Sequence, residues 1–225
     1  MKSLSHSEEN YLKEIFHLSG LTEKRVSTNG LASRLNTKAS SITDMLQKLS
    51  DKKLVEYVKY KGCFLTEEGE RIAIQIIRKH RLWETFLVNK LSFGWEEVHD
   101  VAEQLEHIDS EKLIDSLDRF LNYPKFDPHG DPIPDKDGKI VYRKSKIKLL
   151  DAAINSRVEI VRVNEDSLAL LKFLERHQLT LGTELDVLEK FPFDDSMSVR
   201  VGERLEINLS KKVTENIGVK FISKL

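Results

Sequence analysis

The chain has 225 residues, with 36 Lys/Arg against 37 Asp/Glu, a formal charge of -1, and 32% charged and 40% apolar residues. That composition is globular, long enough for one to three domains, and it excludes extended disorder. No apolar run approaches the roughly 20 residues of a spanning helix, and Cys63, the only cysteine, excludes intrachain disulfides and multi-cysteine zinc modules.

The N-terminal MKSLSHSEEN lacks the apolar core of a signal peptide, so a cytoplasmic protein with no membrane partner is expected. The first third of the chain is only mildly basic, which argues neither for nor against nucleic acid.

Ser5 or Ser7 caps a predicted first helix with Tyr11, Leu12, Ile15, Phe16 and Leu18 at helical spacing, ended by Gly20 and Thr22. A short second helix fits Asn29–Leu35, and the polar turn Asn36-Thr-Lys-Ala39 follows. A third helix is predicted from Ser40, with Ile42, Met45, Leu46 and Leu49 on one face. The period then changes: Leu54–Val58 alternates like a strand, Lys61-Gly62 signals a turn, and Cys63–Thr66 reads as a second strand. Thr66 before Glu67-Glu68 is a helix-start signature, opening a long helix over 66–90, with further helices at 95–107 and 110–121.

Four of the five prolines fall between Tyr123 and Pro134, so 123–146 is the predicted major loop. After it come strands around Val158–Val163, Leu185–Leu188, Met197–Val201, Leu205–Leu209 and Ile217–Phe221, with a helix at 166–177. The fold class is therefore mainly α with a C-terminal small β-barrel.

Two helices, a short turn, a third helix and a hairpin make a winged helix-turn-helix. The start of the third helix presents Lys38, Ser40, Ser41, Thr43 and Asp44, small or polar side chains suited to the major groove and its phosphates. Lys59 and Lys61 stand near the hairpin tip, within reach of a phosphate backbone. The plainer alternative is a small helical domain with an ordinary hairpin.

His80 and Glu84 are four residues apart on the long helix, and His99, Glu103, Glu106 and His107 fall on one predicted face of the next. Buried polar groups in such numbers need partners, and one divalent cation satisfies them together. Nitrogen and carboxylate donors without thiolate suit Mn²⁺ or Fe²⁺ and admit Zn²⁺, Co²⁺ or Ni²⁺. The alternatives are a solvated face of ion pairs, or a metal-dependent hydrolase. No HExxH motif, nucleophile elbow or phosphate-binding glycine loop supports the second.

The order of parts resembles the diphtheria toxin repressor and manganese transport regulator family of bacterial metal-dependent repressors. The matching residues are Glu9-Asn-Tyr-Leu, Arg78-Lys-His-Arg-Leu82 with Glu84, Val98-His-Asp100, Glu103 with Leu105-Glu-His107, and Pro128-His-Gly-Asp-Pro-Ile-Pro134. The resemblance implies a winged helix-turn-helix over 1–72, a helical metal-binding and dimerisation domain over 73–146, and an SH3-like, FeoA-type domain over 147–225. It implies a homodimer that binds a palindromic double-stranded DNA operator when activated by metal. Glu103, Glu106 and His107 match the primary site, and His80, Glu84 and His99 the ancillary one. Manganese sensors place glutamate where Glu103 stands and iron sensors place cysteine, which favours Mn²⁺ over Fe²⁺. The first-helix ligand position holds Asn10, a neutral donor, and a second glutamate found in some manganese sensors is Lys13 here. The nearest acids of the C-terminal domain for a further ligand are Glu165 and Asp166. His129 is expected to shape its loop, and Cys63 to fill a buried strand position.

Overall fold

The structure, a computed structural model, describes residues 4–20, 25–142, 147–163, 168–202 and 205–224. Thr22, Glu165 and Asp166 lie outside the described residues. The chain divides into two compact units: Met1–His80 with Glu103–Ser116 and Pro134–Ile140, and Arg81–Ala102 with Leu117–Ile133 and Val141–Leu225.

The first unit opens with α1 (His6–Ser19), α2 (Thr28–Arg34) and α3 (Ala39–Asp51), then a hairpin of β1 (Val55–Val58) and β2 (Gly62–Leu65). A capping box starts α1: Ser5 Oγ accepts from Glu8 N, and Ser5 N donates to Glu8 Oε2. Ser27 caps α2 by accepting from Gly30 N. On α3 the 4-3 spacing of Ile42, Leu46 and Leu49 puts all three in the core with Leu12, Ile15 and Leu31. β1 and β2 are antiparallel, with Val55 opposite Leu65 and Val58 opposite Gly62. Val26 bridges to Cys63, and a Cβ on Gly62 (φ +90°) would lie 2.5 Å from Val26 O, so the hairpin requires glycine there. Cys63 is fully buried, as expected.

Helix α4 (Glu67–Leu91) starts at Thr66, whose Oγ1 accepts from Gly69 N, and runs 25 residues, passing from the first unit to the second after His80. α5 (Val98–Leu105) and α6 (Glu111–Phe120) follow. The sequence extends α5 over 95–107, but the helix ends at Leu105. Glu106 and His107 therefore lie in a turn closed by Ile108 N donating to Leu105 O, and not on a continuous helical face. On α6, Ile114 and Leu117 are buried while Leu113 and Phe120 are exposed.

The second unit holds β3 (Ile147–Lys148), β4 (Ser156–Val163), α7 (Leu168–Arg176), β5 (Glu184–Phe191), β6 (Ser196–Val201), β7 (Leu205–Leu209), α8 (Lys211–Thr214) and β8 (Ile217–Lys224). The strands form one antiparallel sheet in the order β3-β8-β4-β5-β6-β7. Among the described residues this sheet is open, where the sequence suggests a barrel. β7 runs into α8, and β8 returns between β3 and β4 instead of pairing with β7. Alternating residues of β4, β5, β6 and β8, among them Val158, Ile160, Leu185, Val187, Met197, Val199, Ile217 and Val219, make the core with Leu171 and Leu174 of α7. Trp95 is buried in the same cluster. No described helix is long and apolar enough to cross a membrane.

Candidate metal centre and nucleic-acid interface

The N-terminus of α3 offers an open polar surface. Lys38 is its N-cap residue, and Lys38, Ser40, Ser41 and Asp44 are exposed. Thr43 is half-buried and its hydroxyl donates to Ala39 O within the helix, so it is less available than the serines. Lys59 and Lys61 are exposed at the hairpin tip beside Tyr60, which is 92% exposed, and Lys59 Nζ lies 5.3 Å from the Tyr60 ring centre. Arg25, over the Phe64 ring, adds a cation on the same hairpin. A helix start with short side chains beside a basic hairpin suits a groove and its flanking backbone.

Glu8, buried in α1, reaches α3: its Oε1 lies 2.5 Å from Lys52 Nζ and 3.3 Å from Lys48 Nζ. Burial alone would raise its pKa. The bonds to Lys52, to the Ser5 backbone and to Lys48 outweigh that and hold it at about 2.

One turn further along α1 lies the first cluster of site residues. Lys13 is 4% exposed, and its ammonium contacts Glu103 and both oxygens of the fully buried Glu106, at 2.7 and 3.0 Å. His80 Nδ1 lies 2.6 Å from Glu106 Oε2 and, facing a carboxylate, donates. His107 Nδ1 lies 2.5 Å from Glu9 Oε2, and the His6 ring stacks on His107 at 4.2 Å. Burial pushes the Lys13 pKa down, but the charges of Glu106 and Glu103 win and raise it. Burial pushes Glu106 up, but the His80 bond and the Lys13 charge win and lower it. Asn10 Oδ1 is buried and accepts no hydrogen bond from the described residues.

The sequence-predicted primary set thus comes together: Glu103, Glu106 and His107 meet α1, and His80 joins them through Glu106. As it stands the set does not fit a divalent ion. The acceptor oxygens a metal would need are already bound by an ammonium, and an ion among them would face that like charge at contact distance. Glu9 and Lys13, four apart on α1, are the residues sequence reasoning left out of the site. Their spacing on one helical face was the available signal.

Glu84 and His99 belong to the second cluster. Glu84 is fully buried, with Oε1 3.5 Å from His99 Nδ1 and Oε2 4.0 Å from His129 Nδ1. His129 is itself fully buried and edge-on to Trp95 at 5.2 Å. Its loop is built to deliver it. Asp127 Oδ1 accepts from the backbone N–H of His129 and of Asp131, Arg81 donates to Pro132 O, and Arg162 pairs with Asp131. Gly130 (φ +89°) lies against β4, where a Cβ would come 2.2 Å from Val161 O. The loop thus sets His129 beside Glu84. Glu84 Oε1 and His99 Nδ1, 3.5 Å apart, are close enough to share a divalent ion with bonds of about 2.1 Å.

Comparison with known proteins agrees with this layout. The profile described as "Iron dependent repressor, N-terminal DNA binding domain" matches residues 3–63, "Iron dependent repressor, metal binding and dimerisation domain" matches 66–135, and "FeoA domain" matches 147–220. The iron-dependent repressor IdeR of Mycobacterium tuberculosis (strain ATCC 25618 / H37Rv) is 35% identical over 136 residues, 60% of this chain and 58% of that one, so the chain aligns with under two thirds of that relative. The HTH-type transcriptional regulator MntR of Oceanobacillus iheyensis is 30% identical over 153 residues, 68% of this chain and 97% of that one. A solved manganese-dependent transcriptional repressor in complex with manganese matches with a TM-score of 0.86 at 33% identity, covering 96% of this chain and 100% of that one. The profile matches run from residue 3 to residue 220, and with these relatives they show that the chain belongs to the diphtheria toxin repressor family of iron- and manganese-dependent repressors.

Proposed function

We propose that the chain is a cytoplasmic DNA-binding transcriptional repressor that acts as a homodimer on a palindromic double-stranded operator under the control of a divalent metal. The division of labour is DNA reading by 1–72, metal binding and dimerisation by 73–146, and an accessory SH3-like role for 147–225. The observation that carries the reading is the double attachment of α1. Glu8 holds Lys48 of α3, the proposed reader helix, and its C-cap residue Lys52, and Glu9 and Lys13 hold His107, Glu106 and Glu103. The placement of the reader helix is thereby coupled to the end of α5 and the turn after it.

In this mechanism Lys38, Ser40, Ser41, Thr43 and Asp44 face the major groove and Lys59 and Lys61 face the phosphates, with two subunits spanning half-sites about one turn apart. Glu84 and His99, with donor atoms 3.5 Å apart, would hold the metal. When bound, the ion supplies a Lewis-acidic cross-link. Its effect on DNA affinity is a population shift and requires tighter binding to the DNA-competent state. Manganese is preferred over iron, because the donors are carboxylate and imidazole without thiolate. Zn²⁺, Co²⁺ and Ni²⁺ are accepted by the same donor types in vitro. The hydrolase alternative has no support among the relatives, which are regulators.

The test is selection of an operator from random duplexes, followed by fluorescence anisotropy at one salt concentration with Mn²⁺, with anaerobic Fe²⁺ and with chelator. The reading expects at least tenfold tighter binding with metal. Failure to select any sequence in any of these conditions would sink it.

A further inference from the structure

The primary cluster is complete without a metal. Lys13 has three N–H donors, and three carboxylate oxygens receive them: one on Glu103 and both on Glu106. The ammonium is almost wholly enclosed, and it joins α1 to the last turn of α5 and the residue after it, from positions 90 and 93 residues away in sequence. The neighbouring groups close ranks around it. His80 is bonded to Glu106, and His107 to Glu9.

We infer that Lys13 is a built-in cation that closes the Glu103–Glu106 cluster in place of a divalent ion, so that each subunit makes this tie by itself. Two consequences separate this from an ordinary ion pair. The cluster gives no metal equivalent in the native chain, and removing the ammonium without adding a charge converts it into an acidic pocket that does bind one. The link between α1 and the α5 turn is then constitutive.

The test counts ions on the full chain. Protein dialysed against micromolar Mn²⁺, and in parallel Co²⁺, is analysed for metal per subunit, and thermal unfolding is followed with Mn²⁺ and with chelator. The same count in Glu106→Gln as in the native chain, and one ion more per subunit in Lys13→Met, are expected. Lys13→Met is expected to melt lower in chelator and to recover more on adding Mn²⁺ than the native chain does. Loss of an ion in Glu106→Gln, or no gain in a folded Lys13→Met, would overturn the inference. The Glu106→Gln count stands even if Lys13→Met does not fold. The inference rests on the repressor reading for its meaning, but not for its test. Failure to bind any selected DNA would remove the repressor while leaving the ion counts intact, and loss of an ion in Glu106→Gln would remove the built-in cation while leaving the repressor.

Discussion

Lys13 Nζ lies 2.7 Å from Glu106 Oε1, a buried ion pair made across 93 positions of sequence. Breaking such a pair from one side leaves a buried charge without compensation, and typically costs about 3–5 kcal/mol. Lys13→Ala is therefore expected to lose stability of that order in urea unfolding with chelator present. A loss below about 1 kcal/mol would mean that water already reaches Glu106.

Acid should loosen the join between α1 and the reader helix. The Glu8 carboxyl sits at about 2 when folded against an ordinary 4.5, so its contribution is fully present above pH 4.5 and is lost as pH falls from there towards 2. It amounts to at most about 3 kcal/mol. In Glu8→Gln, stability at neutral pH falls, and the further loss between pH 4.5 and 2 becomes shallower than in the native chain. Identical acid limbs in the two proteins would show that Glu8 is not held by Lys48 and Lys52.

The hairpin and the reader helix should fail differently when mutated. Lys61→Ala is expected to weaken binding to all duplexes alike and to lower the slope of log affinity against log salt by about 1 for each phosphate left unneutralised. Asp44→Ala should leave the slope unchanged and relax preference at one operator position, costing about 1–3 kcal/mol on the selected site. Anisotropy titrations at several salt concentrations on selected and scrambled duplexes separate the two.

Gly130→Ala forces a side chain onto Val161 O in a left-handed backbone conformation. A loss of at least about 2 kcal/mol is expected in urea unfolding. An unchanged midpoint would show that the loop does not press on β4.

Cys63 is buried, and burial pushes its thiol up to about 12. Thiolate is the reactive form, so the native protein should resist iodoacetamide at pH 8 and react only on unfolding. Rapid native labelling would place the hairpin open to solvent.

Local pattern carried much of this structure. The apolar spacing of α3, the switch to alternation at β1, the Thr66 start of α4 and the proline-rich loop all follow from residues close together in sequence, and all are found. The errors are of another kind. Periodicity continued α5 through His107, although a turn after Leu105 is what brings Glu106 and His107 to α1. Alternation identified the C-terminal strands but not their order, because closure depends on where β8 is inserted. Lys13 read as a missing acid. It acquires its role from partners dozens of positions away, which helical spacing does not encode.

Lys13 lies five positions after Glu8, about 7.5 Å along the axis of α1. Both side chains are buried, and no glycine or proline interrupts the helix between them. The reader helix and the carboxylate cluster therefore hang from opposite ends of one stiff lever less than two turns long. Signalling over that span needs no hinge: a tilt at the Lys13 end is a displacement of Lys48 and Lys52 at the other, and every residue spliced into this short arm would put the two out of phase by about 100°.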